Sequence, residues 1–577
     1  MNVLRLFGTD GIRGEVCINN EQSNLLELKN LYNNRIITPL VMAIIGYSVG
    51  RVLRKSNLTH ETRNDVEYEP FVVIGWDRRP SNQALVIALS VGLKKSGCKV
   101  CWAGEIPTPG LQYCVLTSNF DAGFMITASH NPYTDSGVKL FDENGYKSMP
   151  NIEDIISELA WNSSKENVLS LDEIKTFIPD TKIDGLTLYK ASLLPRLKDI
   201  QDIIGGKVTQ YGEIYSKNTE FYIDSSGGSA TEWLTNMLRE LGLNAFEVSN
   251  KNMPINQSCG AGDFSPTSSW KWEDFIKENH EHVLLKKISE IIIKNNQESP
   301  WEIGQIIGAA LDGDGDRCLL FEVTNDGMKI VNGDQITDEI LRAAYSMPVT
   351  EEWEVACTIE ADMGLTASMQ RFSSGITILE TAVGDRWLSN SLRTNLGSGK
   401  FLEGDTQPKC IGCEDSGHIV MPVRHPQLKN KWSLVGDGIM TLLSVISARV
   451  VINNDKNNIL PEYEKGWKKR ISVKGTDRSK WNGKNELSKL VIQKTEKILG
   501  SQITNLKIES IYGENNLLLI KSKLNNNPIS IGIRNSGTEA KTSISVRSAP
   551  NIDSDNIQKL NLLIEKISHI LRLYLCN

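Results

Sequence analysis

Three aspartates alternate with two glycines in DGDGDR, residues 312–317. In an extended loop alternate side chains point the same way, so Asp312, Asp314 and Asp316 can converge on one hard cation. Gly313 and Gly315 let the backbone turn tightly around it. An EF-hand loop also begins D-x-D-x-D, but it needs Gly at its sixth position and Glu at its twelfth. Here those positions are Arg317 and Val323. A metal held by three carboxylates keeps open positions for a phosphate or a serine oxygen, and Arg317 could grip the same phosphate in its planar fork. ITASHNP, residues 126–132, offers the oxygen. Ser129 ends an apolar stretch, His130 and Asn131 are polar handles, and Pro132 stops a helix or an inner strand. A serine hydroxyl is a poor nucleophile until a base or a metal activates it.

Other short stretches suit an anionic, hydroxyl-rich ligand. In RNSGTE (534–539) Arg534, Ser536, the Gly537 amide and Thr538 together could clamp an oxyanion. GCEDSGH (412–418) puts Glu414, Ser416 and His418 at alternate positions, which suits hydrogen bonds to the hydroxyls of one sugar ring. FGTDGIRG (7–14) sets Arg13 on a compact glycine-bounded loop, and Lys139 follows the serine loop closely. Each motif alone also reads as an ordinary or solvated turn. Two competing phosphate signatures fail. GSGKF (397–401) lacks the P-loop's first glycine and its final Ser/Thr, and no GxGxxG opens a helix after a strand.

The surrounding elements alternate. FVVIGWD (71–77) reads as a strand, Ser81 as the N-cap of a helix ending near Gly97, and CKVCWAG and AGFMITAS (122–129) as further strands. SGVKLFDENG (136–145) adds one more. The pattern recurs with EFYIDSSGG, a helix over 229–241 and IIGAALDGDGDRCLLFEV, and again with WEVACTIEAD, a helix from about Gly364 and ITILETAVGD. Three parallel-sheet α/β units are therefore expected, followed by an α+β unit with PISIGIRNSGT, KTSISVRS and a terminal amphipathic helix. Polar tracts near 54–69, 161–182 and 270–300 read as insertions, some of them helical.

Composition narrows the classes. The chain has 577 residues, 40% of them hydrophobic, and a net charge of −7, so it lacks the basic footprint of a nucleic-acid binder. The start, MNVLRLFGTDG, has no apolar core of signal-peptide length. Leu40–Val49 and Ile439–Ile452 are too short to span a bilayer, or carry an Arg. Ten scattered cysteines do not make a disulfide framework, and neither Cys98/Cys101 nor Cys410/Cys413 sits in a zinc-like cluster. The expectation is a reduced, cytoplasmic protein with no membrane or nucleic-acid partner.

Six motifs, FGTDGIRG, ITASHNP, DGDGDR, TAVGDR, GCEDSGH and RNSGTE, occur in the order found in the α-D-phosphohexomutases, and the chain resembles that family from end to end. The resemblance implies three related α/β domains plus a C-terminal α+β domain around a central cleft, with boundaries at 1–184, 185–323, 324–457 and 458–577. It implies a phosphoserine at Ser129, and Mg²⁺ on Asp312, Asp314, Asp316 and the serine phosphate. Arg13, His130 and Lys139 would assist catalysis. Arg317, Gly384, Asp385, Glu414, Ser416, His418, Arg534, Ser536, Gly537 and Thr538 would bind substrate. Its partner would be a sugar phosphate, with a hexose 1,6-bisphosphate as intermediate and activator. FGTDGIRG and TAVGDR are most similar to phosphoglucosamine mutases, which implies interconversion of glucosamine 6-phosphate and glucosamine 1-phosphate. ExSGH is shared with phosphomannomutase/phosphoglucomutases, the alternative reading. A serine-dependent metallophosphatase would explain Ser129 and the aspartates but would not need GCEDSGH or RNSGTE, and a non-enzymatic descendant would not need the intact serine and aspartates. The family often has Pro and a further Arg after SGTE, where this chain has Ala540 and Ser543; Arg547 is the candidate to stand in.

Overall fold

The computed structural model describes residues 4–18, 23–59, 61–62, 68–166, 169, 172–347, 351–373, 375–455, 458–536 and 540–576. The chain forms two compact units. Residues 1–350, 393–408 and 416–459 make the first, and residues 351–392, 409–415 and 460–577 make the second.

In the first unit FVVIGW becomes the strand Phe71–Trp76, flanked in parallel by Lys99–Glu105 and Ala122–Ile126. Its alternate residues enter different cores, Val72 and Ile74 on one face and Val73 on the other. Helices cover both faces, which is why the run is apolar throughout. Asp135–Asp142 returns antiparallel to Ala122–Ile126 and pairs in turn with Ile12–Val16. This register sets Arg13 opposite Gly137 and Lys139 opposite Met125, so FGTDGIRG and Lys139 are drawn to the serine loop.

A second sheet in this unit runs Glu220–Asp224 parallel to Ile306–Leu311, which is antiparallel to Cys318–Val323. DGDGDR is the connection between these last two strands, both buried along their whole length. Leu40–Val49 lies within the helix Pro39–Leu53, packed against Asn82–Lys95. The approach is close because it runs through glycine: a Cβ on Gly92 would stand 2.0 Å from the Ala43 carbonyl oxygen. Ile439–Ile452 lies within the buried helix Gly438–Asn454, where Arg449 is neutralised by Glu339 and Glu322. Among the described residues no helix is long and apolar enough to cross a membrane.

Two expectations need correction. The strand read over 122–129 stops at Ile126, because Ser129 turns into the left-handed region. The helix read over 229–241 is only Trp233–Glu240. Glu232 has φ +77, and Gly228 packs so tightly on the aspartate loop that a Cβ there would lie 2.3 Å from the Gly313 oxygen. The tract 270–300, read as a partly helical insertion, does contain helix. Its helices Trp272–Lys277 and Val283–Lys294 bury Phe275, Leu284, Ile288 and Ile292 in the same core as Phe321.

In the second unit Trp353–Thr358 pairs in parallel with Ile376–Thr381 and Cys410–Cys413. The C-terminal part is a five-stranded antiparallel sheet in the order Lys468–Lys474, Lys541–Ser548, Asn527–Asn535, Leu518–Leu524, Ile503–Glu509. The helices Glu486–Leu499 and Ser554–Leu575 bury their apolar faces against it. The chain is a multi-domain α/β protein ending in an α+β domain.

Candidate active site

Ser129 is fully buried with φ +55. A non-glycine residue held there costs of order 1–3 kcal/mol and persists only where its surroundings over-determine it. They do so here. The Ser129 N–H donates to Thr127 Oγ1 at 2.8 Å, and that hydroxyl donates to Asp77 Oδ2 at 2.6 Å. The Ser129 carbonyl accepts from Arg79 Nη2 at 2.8 Å and from Asn256 Nδ2 at 2.7 Å. Arg79 also donates to the carbonyls of Asn131 (2.9 Å), Asp135 (2.8 Å) and Pro132, and its Nε donates to Asp77. With the backbone fixed, Ser129 Oγ donates to Asp312 Oδ2 at 2.7 Å.

Asp312, Asp314 and Asp316 are buried, and each brings a carboxylate oxygen within 4.8 Å of the others. Asp314 Oδ1 and Asp316 Oδ1 have no hydrogen-bond partner among the described residues. Three hard oxygen donors, two of them unsatisfied and one touching the serine, fit a divalent cation such as Mg²⁺. Burial, then the neighbouring Asp316 and Asp314, pushes the Asp312 carboxyl well above its ordinary value. Burial acts on Asp316 in the same direction but is outweighed, chiefly by Lys139 and His418, so Asp316 is held well below.

Lys139, 1% exposed, places Nζ 2.6 Å from Asp314 Oδ2, 2.7 Å from Asp316 Oδ2 and 3.3 Å from Asp10 Oδ2. Burial disfavours its charge, yet Asp10, Asp314 and Asp316 hold the ammonium well above its usual value. Asp10 bridges Arg13 and Lys147, the latter at 3.0 Å, so FGTDGIRG contributes a carboxylate as well as a guanidinium. Arg13 Nη1 also donates to the Ala128 carbonyl at 3.4 Å. Burial, Arg317 and Arg13 keep the His130 imidazole well below its ordinary value, and its Nδ1 has no hydrogen-bond partner among the described residues. Arg317 stands 3.9 Å from Asp312 and 4.0 Å from Asp316. The Gly417 carbonyl accepts from the Cys318 N–H at 3.0 Å, which ties Ser416–His418 to the strand that follows the aspartates.

The remaining predicted residues belong to the second unit. Glu414 Oε1 accepts from the Gly384 N–H at 2.7 Å, and Asp385 begins the helix Asp385–Leu396, so TAVGDR and GCEDSGH meet. Arg534 donates through Nε and Nη2 to Glu360 Oε1, both at 3.3 Å. The Ser536 N–H donates to the Lys541 carbonyl at 2.8 Å. Gly537 and Thr538 lie outside the described residues. Arg547, the candidate stand-in, is committed elsewhere: it donates to the Ala361 carbonyl at 2.7 Å and to Ser530 Oγ at 3.0 Å, and it is buried.

Sequence reasoning missed Asp10, Asp77, Arg79, Thr127, Lys147, Asn256 and Glu360. WDRRP, which holds Asp77 and Arg79, carried a usable signal: three charged residues where a buried strand ends. Asn256 and Glu360 reach their partners only through the fold.

The sequence matches the model of phosphoglucomutase/phosphomannomutase alpha/beta/alpha domain I over residues 4–167 and that of domain III over residues 332–464. Together these cover just over half of the chain. A phosphoglucosamine mutase of Parafrankia sp. is 25% identical over 502 residues, 86% of this chain and 91% of that protein. One from Pasteurella multocida is 29% identical over 466 residues, covering 79% and 81%. Among solved structures, a phosphoglucomutase/phosphomannomutase family protein from Burkholderia thailandensis aligns with TM-score 0.58 at 17% identity over 98% of each chain. The open form of parafusin, a phosphoglucomutase from Paramecium, aligns with TM-score 0.58 at 14% identity over 100% of this chain and 96% of its own. At those identities the structural likeness speaks for the fold.

Proposed function

The chain belongs to the α-D-phosphohexomutase family, and from that premise we propose that it interconverts glucosamine 6-phosphate and glucosamine 1-phosphate through a phosphoserine at Ser129. The observation that carries this reading is the strained, buried Ser129 with its Oγ 2.7 Å from one of three clustered aspartates. Mg²⁺ on Asp312, Asp314 and Asp316 would neutralise charge on the phosphoryl group in transfer.

The chain's own residues do the rest. Thr127, Arg79 and Asn256 hold Ser129 in its strained turn, so that Oγ needs little reorganisation to take or release a phosphoryl group. In the forward half-reaction a sugar hydroxyl oxygen bonds to phosphorus, the bond from phosphorus to Ser129 Oγ breaks, and the proton lost from the sugar hydroxyl to a nearby base is made good by one delivered to Ser129 Oγ, which becomes the hydroxyl that donates to Asp312. His130 Nδ1 is available for that proton. Lys139, Arg13 and Arg317 supply positive charge beside the transferring group. The product is a bound hexose bisphosphate, which returns its other phosphate to Ser129 after exchanging orientation. Arg534, Ser536, Gly537 and Thr538 hold the phosphate that is not reacting. Glu414, Ser416, His418, Gly384 and Asp385 recognise the sugar.

The preference for an amino sugar rests on the phosphoglucosamine mutases being the relatives matched over most of the chain. An ammonium at C2 would form a charge-assisted hydrogen bond with a carboxylate such as Glu414 or Asp415. The test is kcat/KM for glucosamine, glucose and mannose phosphates side by side, each with its matching bisphosphate. Glucosamine phosphate is expected to lead by at least about tenfold, roughly 1.4 kcal/mol of transition-state preference. A lead for mannose or glucose phosphate would transfer the assignment to phosphomannomutase/phosphoglucomutase, and release of free phosphate without isomer would overturn the mutase reading.

A further inference from the structure

Asp314 is gripped from a segment to which the mechanism above gives no part. The strand Lys99–Glu105 runs into IPTPG, residues 106–110, where the helix Thr108–Thr117 begins. Prolines flank the first helical residue, and neither Pro107 nor Pro109 has an N–H to give. The Gly110 N–H turns back to the Pro107 carbonyl at 2.9 Å. Thr108 commits both of its donors to one residue. Its N–H donates to the Asp314 carbonyl at 2.8 Å, and its Oγ1 donates to Asp314 Oδ2 at 2.5 Å. Both residues are buried. Pro107 packs against the same aspartate loop: Gly315 has φ +70, and a Cβ there would stand 3.2 Å from Pro107 Cβ.

These contacts make the two oxygens of Asp314 unequal. Oδ2 takes Thr108 Oγ1 and, at 2.6 Å, the Lys139 ammonium. Oδ1 has no hydrogen-bond partner among the described residues. A carboxylate turns about its last bond with a roughly two-fold preference, so an untethered Asp314 could offer either oxygen. Lys139 alone is a poor guide, because Asp316 Oδ2 and Asp10 share it and its charge repels a dication. The Thr108 hydroxyl is neutral, so it can keep Oδ2 occupied while a cation sits on Oδ1. The loop backbone is held separately. The Gly315 carbonyl accepts from the Gly438 N–H at 3.0 Å, and the Gly313 carbonyl accepts from the Ser229 N–H at 3.2 Å. Loss of the hydroxyl would therefore release the carboxylate and leave the loop in place.

We propose that Thr108 is a positioning residue for the metal, fixing Asp314 so that Oδ1 is the oxygen that meets Mg²⁺. The inference rests on the reading above that Asp312, Asp314 and Asp316 hold Mg²⁺. A hydrogen bond that orients a ligating carboxylate is worth about 10–100-fold in metal affinity or activity.

The test titrates Mg²⁺ calorimetrically into the full-length protein after chelation, a readout that needs no sugar. Thr108→Val keeps the shape and the N–H but deletes the hydroxyl, whereas Thr108→Ser keeps the hydroxyl. The valine variant should bind Mg²⁺ about tenfold or more weakly, and the serine variant should stay within about threefold of wild type. In assays the valine variant should need correspondingly more Mg²⁺ for half-maximal activity. Its KM for the sugar phosphate should be nearly unchanged, and saturating Mg²⁺ should restore most of kcat. Thr108→Ala takes the place of the valine variant if thermal denaturation shows that valine does not fold. Wild-type Mg²⁺ affinity without the hydroxyl would overturn the proposal and leave the metal site standing, as would a serine variant as weak as the valine one. A wild-type protein that takes up no Mg²⁺ would instead defeat the metal reading, and this inference with it.

Discussion

Arg79 offers the sharpest check on how the nucleophile is built. Its guanidinium donates to four carbonyls of the loop 129–135, those of Ser129, Asn131, Pro132 and Asp135, and to Asp77. Arg79→Lys keeps the charge and the buried stem but replaces a planar fork with one ammonium, which has three donors and cannot span acceptors on both sides of the loop. At least two of the five contacts would be lost. The Ser129 and Asn131 carbonyls keep Asn256 as a donor, so the cost runs from about 1 kcal/mol for two net hydrogen bonds to about 6 kcal/mol for two orphaned acceptors. A domain's whole stability is about 5–15 kcal/mol, so the expected result is local relaxation of the strained turn rather than global unfolding. Relaxation of about 1 Å at Oγ is worth about 100-fold in rate. Steady-state kinetics should therefore show kcat falling by about 100-fold while KM for the sugar phosphate changes little. Thermal denaturation would confirm a folded protein. If Arg79→Lys keeps kcat within about threefold of wild type, the premise that the loop's hydrogen bonds set the nucleophile is wrong.

Further outcomes follow from the same geometry. Ser129→Ala should abolish turnover and remove the phosphate that intact-mass analysis is expected to find on the wild-type protein; full activity in the variant would dismiss the covalent route. Thorough chelation should inactivate the enzyme and Mg²⁺ should restore it, whereas Asp314→Asn should need far more Mg²⁺ for half-maximal activity, because every ligand in the cluster is a hard oxygen. Activity that survives chelation would remove the metal from the mechanism. Asn256→Ala takes away one of the two side-chain donors to the Ser129 carbonyl. It also removes the Asn256 donor to the Asn131 carbonyl, so kcat should fall by at least about tenfold with KM nearly unchanged, in line with two lost hydrogen bonds of about 0.5–1.5 kcal/mol each.

The fold was legible where side-chain period and burial agree. FVVIGW is apolar at every position because it is covered on both faces, and the terminal helix shows a 3.6-residue apolar stripe because one face is covered. It was illegible where tertiary contacts override local preference. Nothing in SSGGSAT announces that Gly228 must lie against Gly313, so the following helix was read as beginning too early. The tract 270–300 read as a polar insertion because its polar residues outnumber its apolar ones. Leu284, Leu285, Ile288 and Ile292 of Val283–Lys294 nevertheless fall on one face, and that face is core.

The candidate site divides along the same line. Residues proposed to meet a cation, a phosphate or a sugar have types dictated by chemistry, so aspartates at spacing two, a serine after a strand and an arginine beside hydroxyls stand out in the sequence. Residues that hold those groups in place have types dictated by what lies across the fold. Thr127 is read as another strand residue until its hydroxyl is seen between the Ser129 amide and Asp77. Glu360, at the end of WEVACTIE, has no visible role in the sequence until two arginines more than a hundred residues along the chain are found on its two oxygens. The supporting carboxylates also explain how so much positive charge can be buried beside an anionic ligand. Asp10 holds Arg13, Lys139 and Lys147, and Glu360 holds Arg470 and Arg534, so each cation group is positioned before any phosphate arrives. Cations fixed in advance by protein carboxylates need little reorganisation when an anion meets them, and that preorganisation is what the buried anchors contribute.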